Sequence, residues 1–278
     1  MSAQAAWRGR CARLEVPNLS YYVVAHQDDW QLFYGQQAFL DLSEAGRRVV
    51  FIYTTAGDAG ESEAWWRARE LGAIAAQALP AQSVVTEASN EIAGHRIAVY
   101  EAGSFASYHL RLPDGHASGD GFPSTGHTSL RKLQNGEISQ LTAVDGSTTY
   151  TSWREFCDTL NAIIEREGSD ANTWVNTADW NPACSPGDHA DHKATADAVR
   201  EIVGNRFNRL WFVTYSTKDR PANLSGAERV HKASVFWAYA QVVVPLCGPD
   251  LPLTEWCDWG AKNYFRRALA GEDDRGLC

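Results

Sequence analysis

The sequence Tyr-Tyr-Val-Val-Ala-His-Gln-Asp-Asp-Trp at residues 21–30 places a polar cluster directly after an apolar run. Tyr and Val suit a pleated, covered position, so residues 21–25 predict a short buried strand. In an open α/β sheet, the groups just past the carboxyl end of a strand line the ligand crevice. His26, Asp28 and Asp29 stand there, and an imidazole with two carboxylates can hold a metal. On its own the cluster also fits a polar turn in which Asp29 caps the next helix.

A second polar cluster, Gly-Asp-His-Ala-Asp-His at residues 187–192, follows a predicted strand over residues 173–177 and its loop. His189 and His192 are three residues apart, so at the start of a helix both rings face the same side. A catalytic zinc takes imidazole and carboxylate ligands from three residues and keeps an open position for water. Either cluster alone also fits a helix cap with surface side chains. Because both follow strands of one predicted sheet, we interpret them as one metal site.

The chain as a whole predicts an α/β fold with a Rossmann-like, mostly parallel sheet and helices on both faces. An order of strand, helix, strand, helix in the first 80 residues favours parallel pairing with right-handed crossovers. The segments so assigned are strands at 21–25, 48–54, 173–177 and 209–215, and helices at 32–46, 64–79, 194–203 and 225–243, with one helical face at 156–164. Residues 83–149 break the pattern, and we predict hairpins and a long loop there. The prediction is a single domain over residues 1–278 with an insertion at about 83–149.

The bulk composition excludes some classes of protein. The chain has a formal net charge of −9 and no basic run, so we do not expect it to bind nucleic acid. No apolar run reaches the length of a membrane span, and residues 1–20 lack the apolar segment of a signal peptide. We therefore predict a cytoplasmic location, with export left open. The sequence predicts no oligomeric state.

The cysteines and tryptophans give weaker indications. The six cysteines form no Cys-x-x-Cys pair, which argues against a zinc knuckle or a thioredoxin-like site. We expect free thiols, and for an exported protein the first pair to check is Cys247 with Cys257. The 11 Trp residues exceed what a core alone suggests, and planar rings stack on sugars, although a core position is favoured for any single one.

The two polar clusters together resemble a known signature. Ala-His-x-Asp-Asp at residues 25–29 and His-x-Asp-His at residues 189–192 look like the motifs of the LmbE-like, or PIG-L-type, zinc-dependent N-acetylglucosaminyl deacetylases. The loop at residues 57–60 with the following Arg-x-x-Glu at 67–70, and a late segment with Lys, Tyr and Gln at 232, 239 and 241, extend the resemblance over most of the chain apart from the insertion. It implies a Rossmann-like fold and one Zn²⁺ per chain that serves to hydrolyse an acetamide on glucosamine.

The resemblance also assigns roles to individual residues. His26, Asp29 and His192 match the zinc ligands of the family. Asp28 matches the general base that takes a proton from water on the metal, and His189 matches the histidine that stabilises the oxyanion. These roles agree with general chemistry, since a metal lowers the pKa of its water and a free carboxylate beside it can accept the proton.

Two further residues are expected to contact substrate. Arg67 matches an arginine that faces the substrate in the family, and Trp30 replaces an acidic residue, so we expect its ring to shape the cleft. Gln27 and Ala190 replace prolines of the family motifs without removing a ligand. The insertion and the many Trp residues resemble the deacetylases of teicoplanin-type glycopeptide antibiotics. This implies an amino-sugar-bearing small molecule or glycopeptide as the substrate.

Two other functions remain open at this point. The first is a Rossmann-type nucleotide-binding enzyme, but no Gly-x-Gly-x-x-Gly follows the first strand, where His26-Gln27-Asp28-Asp29 stands instead. The second is a non-catalytic carbohydrate- or glycopeptide-binding module. Binding alone does not require a free carboxylate such as Asp28 beside metal ligands, which argues against it.

Overall fold

The computed structural model describes residues 18–275. The strands are β1 (Leu19–Val24), β2 (Arg48–Thr55), β3 (Thr86–Ile92), β4 (His95–Glu101), β5 (Phe105–Leu112), β6 (Leu141–Thr142), β7 (Thr149–Tyr150), β8 (Trp174–Ala178), β9 (Asn208–Val213) and β10 (Tyr264–Ala268). The α-helices are α1 (Gly35–Ser43), α2 (Glu63–Ala81), α3 (Leu130–Asn135), α4 (Trp153–Glu167), α5 (Ala190–Val203), α6 (Gly226–Cys247) and α7 (Asp250–Trp259). A π-helical turn at Trp30–Tyr34 precedes α1, and 3-10 turns lie at Pro123–Thr125 and Tyr215–Thr217.

An eight-stranded sheet in the order β10-β9-β8-β1-β2-β5-β4-β3 forms the centre of the fold. Its five middle strands, from β9 to β5, pair in parallel. β10 pairs antiparallel at one edge, and β4 and β3 extend the other edge as an antiparallel hairpin. The α/β fold with a mostly parallel sheet is therefore confirmed. The carboxyl ends of the middle strands lie together at one edge, where ligands bind in such sheets.

Helices cover both faces of this sheet, and β1 shows why. Tyr21 and Val23 point into a core shared with α4 and α5, whereas Tyr22 and Val24 point into a core shared with α1, α2 and α6. Successive side chains of a strand point to opposite faces, so a continuous apolar run is buried on both sides. Each large side chain buried in this way contributes roughly 1.5–3 kcal/mol to the free energy of unfolding.

The region predicted as an insertion contributes to the sheet. β3 and β4 form the expected hairpin at the edge, but Phe105–Leu112 (β5) pairs in parallel with β2 and is buried along its whole length. Part of residues 83–149 is therefore core rather than peripheral. The loop that follows β5 starts at the same edge of the sheet as the first polar cluster. The single domain over 1–278 stays a prediction.

The cysteines follow the expectation in part. Cys157, Cys247 and Cys257 are free thiols, so the pair Cys247–Cys257 is not formed. Cys184 is disulfide-bonded, which the expectation of free thiols does not include. Cys11 and Cys278 lie outside the described residues, as do residues 1–17 of the segment 1–20 that is predicted to lack a signal peptide. Within residues 18–275 no helix is long and apolar enough to cross a membrane.

Candidate metal centre

The first polar cluster is fixed to the ends of two neighbouring strands. The backbone N–H of Thr55 donates to the carbonyl of Ala25 at 3.1 Å, which joins the cluster to the end of β2. The buried amide of Gln27 donates from Nε2 to the carbonyl of Thr55 at 2.9 Å. Asp29 turns back and accepts from the backbone N–H of His26 at 2.7 Å. Gln27 thus anchors by a hydrogen bond a turn in which the resemblance expects a rigid proline.

The second cluster opens α5. His189 is the N-cap residue, and its Nδ1 accepts from the backbone N–H of Asp191 at 3.2 Å. A backbone N–H can act only as a donor, so the neutral ring of His189 carries its proton on Nε2. Burial, together with the positive charge of His26, holds the pKa of His189 well below its usual range. His189 is therefore a neutral hydrogen-bond donor through Nε2. His192 lies almost one turn further into the helix.

Three of these side chains converge on one point. His192 Nε2 lies 2.9 Å from Asp29 Oδ1, and His26 Nδ1 lies 3.4 Å from the same oxygen. The ligand atoms of His26, Asp29 and His192 all lie within 4.8 Å of one another, and all three residues are buried. Two imidazole nitrogens and one carboxylate oxygen are a donor set typical of a catalytic zinc.

Carboxylates hold the far nitrogen of each imidazole. Asp188 Oδ1 lies 2.7 Å from His192 Nδ1, and Asp191 Oδ2 lies 3.3 Å from His26 Nε2. Metal-binding histidines usually have such a partner, which orients the ring and raises its basicity. Burial alone would lower the pKa of His192, but the charges of Asp29 and Asp188 raise it to about 10. The surroundings thus favour positive charge here, and the residues fit a divalent cation.

A second group of potential ligands overlaps the first. His26, Asp114, His189 and Asp191 also bring their ligand atoms within 4.8 Å of one another. It shares His26, whose Nε2 lies 3.6 Å from Asp114 Oδ2 while Nδ1 faces Asp29. A metal held together with Asp29 and His192 would take Nδ1 of His26, because a carboxylate on Nε2 is then the usual supporting partner. In that arrangement Asp114 and Asp191 would hold the ring of His26 through Nε2.

Asp28 is held by a buried arginine. Arg69 Nη2 donates to Asp28 Oδ1 at 2.5 Å, Nη1 donates to the carbonyl of Gly57 at 2.5 Å, and Nε donates to the Tyr239 hydroxyl at 3.1 Å. Gly57 has φ +55°, and a Cβ there would lie 2.6 Å from Arg69 Nη1 and 2.5 Å from Gln27 Oε1. A glycine is therefore required for the guanidinium to reach Asp28.

These groups surround a cavity of about 230 Å³. Its lining residues are His26, Asp28, Ala59, Trp65, Arg69, Asp114, His189, Tyr215, Tyr239, Val243, Leu251, Pro252 and Glu255. Asp28 thus lies at the wall of a cavity whose base is formed by a candidate ligand. The arrangement can hold a cation, a water molecule and a small polar substrate together.

Comparison with known proteins agrees with the two motifs. The family model described as PIG-L, GlcNAc-PI de-N-acetylase, matches residues 21–203. The chain belongs to the PIG-L family. The match includes both polar clusters and ends with α5, so it covers every candidate ligand.

Solved structures of deacetylases share the fold of this PIG-L protein. N,N'-diacetylchitobiose deacetylase from Pyrococcus horikoshii, complexed with an inhibitor, has a TM-score of 0.50 and 13% identity over 91% of this chain and 84% of its own. A deacetylase in the biosynthesis pathway of teicoplanin has a TM-score of 0.50 and 16% identity over 92% of this chain and 100% of its own. At these identities the likeness concerns the fold. No curated protein matches the sequence.

The structure does not bring two of the predicted residues to this cavity. Arg67 Nη1 lies 3.4 Å from Glu70 Oε1, and the side chain lines a separate groove of about 730 Å³. Trp30 is fully buried in the core and donates from Nε1 to the Tyr53 hydroxyl at 2.8 Å, so its ring does not shape the cleft. The predicted residues that the structure does bring together are His26, Asp28, Asp29, His189 and His192.

Several residues at the site were not identified from the sequence. Arg69 is two positions from Arg67, and a helix turns by about 200° over two residues, so the two side chains leave opposite faces of α2. The motifs assign no role to Asp188, although it lies four residues before His192, a spacing that suits a contact along a helix. Asp114 follows β5, and its backbone N–H donates to Asp58 Oδ1 at 2.7 Å. A sequence-based assignment of β5 to the parallel sheet would have identified Asp114 as a candidate, because residues just past the carboxyl end of such a strand line the ligand crevice.

Proposed function

We propose that this protein is a zinc-dependent deacetylase that removes the N-acetyl group from an N-acetylglucosamine unit. The observation that carries the proposal is the convergence of His26, Asp29 and His192 at the edge of the sheet, with Asp28 beside them in a cavity. Membership of the PIG-L family, whose model is named for a de-N-acetylase, supports the same reaction.

One Zn²⁺ per chain would be held by His26, Asp29 and His192. The donor set also suits iron, so the choice of metal is part of the proposal. A divalent cation at this point would lower the pKa of a bound water and polarise the carbonyl of the acetamide. Asp188 and Asp191 keep both imidazoles oriented with one nitrogen toward Asp29.

Asp28 serves as the general base. Its carboxylate lines the cavity, and Arg69 engages Oδ1, which leaves Oδ2 to take a proton from the water that attacks the acetamide carbon. The C–N bond then breaks, and the same proton passes from Asp28 to the leaving amine. Water and amide thus give acetate and a free amino sugar, with no other reactant consumed.

His189 stabilises the oxygen on which negative charge develops. Its Nδ1 is occupied by the backbone N–H of Asp191, so Nε2 is the donor that His189, which lines the cavity, can offer. A donor held in place before the reaction is more effective than water, because it does not have to reorient as the charge forms. In this proposal His189 acts as a neutral donor and not as a cation.

The substrate proposed here is an amino sugar carried by a larger molecule, such as a glycopeptide antibiotic intermediate. The deacetylase structures with this fold include one described as acting in teicoplanin biosynthesis and one on diacetylchitobiose, and both support an amino-sugar substrate. Trp65 and three residues of α7 line the cavity, and we propose that they contact the rest of such a molecule.

Mass spectrometry of acetyl loss tests the proposal. Zinc-loaded protein is offered an N-acetylglucosaminyl glycopeptide precursor, an N-acetylglucosaminyl-inositol and free N-acetylglucosamine, each with and without a chelator. Chelator-sensitive loss from the glycopeptide alone would support both the reaction and the substrate. Loss from the small sugars would support the reaction and reject the glycopeptide. No loss from any of the three would reject the function in favour of a binding module.

The role of Asp28 is tested separately. Asp28→Asn should lower acetate release by roughly 10²–10⁴-fold while the zinc content stays that of the wild type, because the base is removed and the ligands are not. Asp158→Asn, at an exposed carboxylate on α4, is the matched control. Full activity of Asp28→Asn would reject Asp28 as the base.

A further inference from the structure

Helix α7 forms one wall of the catalytic cavity. Leu251, Pro252 and Glu255 of this helix all line the cavity. They are spaced by three and four residues, so they share one face of the helix. Two of the three are apolar, and Glu255 is therefore the polar group that α7 presents to a substrate.

The position of α7 is fixed by its packing on α6. The Trp256 ring lies 5.3 Å from Phe236 and 5.9 Å from Trp237, measured between ring centroids. At the end of the helix, the buried ammonium of Lys232 donates to the carbonyl of Trp259 at 2.9 Å. Glu255 directly precedes Trp256, so its backbone is held in place at the cavity wall.

The carboxyl group of Glu255 has no hydrogen bond or ion pair within residues 18–275. The nearby cation, Arg69, already donates to Asp28, Gly57 and Tyr239. Burial, and secondly the charge of Asp28, raise the pKa of Glu255 to about 8, against the opposing effect of Arg69. Near neutral pH the group therefore carries a proton and can both donate and accept a hydrogen bond.

A second polar atom at this cavity also lacks a partner. Trp65, in the first turn of α2, lines both the cavity and an adjoining groove formed with Leu246 and Cys247. Its Nε1 is buried and has no hydrogen-bond partner in the described part of the chain. Buried polar groups are almost always satisfied in proteins, so the unsatisfied Nε1 of Trp65 indicates a ligand in this cavity. The half-buried carboxyl of Glu255, which has no protein partner within residues 18–275, faces the same cavity.

We propose that Glu255 is a specificity-determining residue that hydrogen-bonds a ring hydroxyl group of the amino sugar, with the indole of Trp65 beside the same ring. This inference rests on the proposed deacetylase function. A sugar presents hydroxyl groups that both donate and accept, and apolar ring faces that suit an indole. Asp28, His189 and the three ligands act on the acetamide, which leaves Glu255 for the remainder of the ring.

Deoxy analogues of the substrate test the contact. On the substrate that the wild type accepts best, Glu255→Ala should lower kcat/KM about tenfold, the effect of one lost hydrogen bond, with KM changing more than kcat and zinc content unchanged. The same variant is then compared on the 3-, 4- and 6-deoxy analogues. The tenfold loss should vanish on the one analogue that lacks the contacted hydroxyl, since that contact is already absent.

Three further variants separate this contact from a structural role. Glu255→Gln keeps a donor and an acceptor and should retain most of the wild-type kcat/KM. Thr254→Ala changes an exposed residue of the same helix and should behave as the wild type on every analogue. Trp65→Ala should raise KM on all analogues alike, because stacking does not depend on one hydroxyl.

The outcomes distinguish this inference from the function on which it rests. An equal loss for Glu255→Ala on the parent and all deoxy analogues would overturn the hydroxyl contact while leaving the deacetylase intact. So would a matching loss in Thr254→Ala, which would indicate a disturbed helix. Zinc-loaded wild type that releases acetate from no substrate would instead overturn the proposed function, and this inference with it.

Discussion

The two sides of the cavity are built from different kinds of sequence. On the metal side, His26 and Asp29 directly follow β1, and His192 lies in the first turn of α5. On the other side, which we call the helix side, Arg69 and Glu255 come from within α2 and α7. They reach the cavity only because of the way in which these helices pack. Residues at strand and helix ends can be recognised from a short motif. Residues on helix faces depend on the tertiary packing.

This difference has a functional counterpart. Residues of the metal side contact one another within hydrogen-bond distance, and each imidazole is fixed by carboxylates. On the helix side, Arg69 and Glu255 line the cavity, and Arg69 also orients Asp28. Substitutions on the metal side should therefore change the metal content, whereas substitutions on the helix side should change catalysis and leave the metal content as it is.

The largest expected effect comes from the metal side. His192→Ala removes a candidate ligand, so the zinc retained after dialysis should fall close to zero and acetate release should fall by at least ~10³-fold. Asp188→Asn keeps the ligand but loses the carboxylate on His192 Nδ1, and it should weaken zinc affinity roughly 10–100-fold. Zinc content by atomic absorption and acetate release are measured on both. A His192→Ala protein with full zinc and full activity would reject the ligand set.

An intermediate effect is expected from the helix side. Arg69→Gln should lower acetate release about 10²-fold with zinc content unchanged, because Asp28 loses the group that orients it and small displacements are costly in catalysis. Arg67→Gln is the matched comparison on the same helix and should change activity by no more than about twofold. The melting temperature of each variant controls for unfolding. A larger effect of Arg67→Gln would contradict this prediction. It would support the substrate-facing role that the family resemblance gives to Arg67.

The sequence predicted the parallel strands well where their residues are apolar, and β5 shows the limit. From Ala106 onward its sequence, Ala-Ser-Tyr-His-Leu-Arg-Leu, alternates apolar and polar residues, which is typical of a strand with one exposed face. In the structure both faces are buried, because α2 supplies partners for the polar side chains. Gln77 donates to Ser107, and Glu70 accepts from Arg111. The alternation reflects a buried polar network, which no local pattern distinguishes from exposure to solvent.

The site residues show the same limit, because local patterns predicted those at strand and helix ends but not those placed by packing. His26, Asp29 and His192 were placed by motif and strand ends, and the structure brings them together. Asp114 was missed because the strand before it was assigned to an insertion. Glu255 was missed because α7 is short, and its contact with the cavity depends on how Trp256 packs against α6. Long-range packing between helices determines such positions, and a single sequence carries little direct information about it.

The smallest expected effect tests the burial of β5 itself. The ring of His109 stacks on Tyr53 with 4.5 Å between centroids, and its Nδ1 lies 3.6 Å from Glu70 Oε2. Burial lowers the pKa of His109 to about 4, although the charge of Glu70 opposes this shift and that of Arg111 adds to it. In the unfolded chain the pKa of His109 is near 6.5. Between about pH 6.5 and 4, His109 therefore binds a proton in the unfolded chain but not in the folded protein. Stability is therefore lost as the pH falls through this window, by about 2 kcal/mol between pH 7.5 and 5.

His109→Phe keeps a flat ring against Tyr53 and removes the titration. From pH 7.5 to 5 its free energy of unfolding, measured by urea titration, should fall by about 2 kcal/mol less than that of the wild type. The comparison uses each protein's own change with pH, so a different stability of the variant at pH 7.5 does not affect it. Equal losses in the two proteins would mean that His109 is protonated as readily in the fold as in the unfolded chain. β5 would then not be covered on both faces, and the alternating pattern of its sequence would have indicated an exposed face after all.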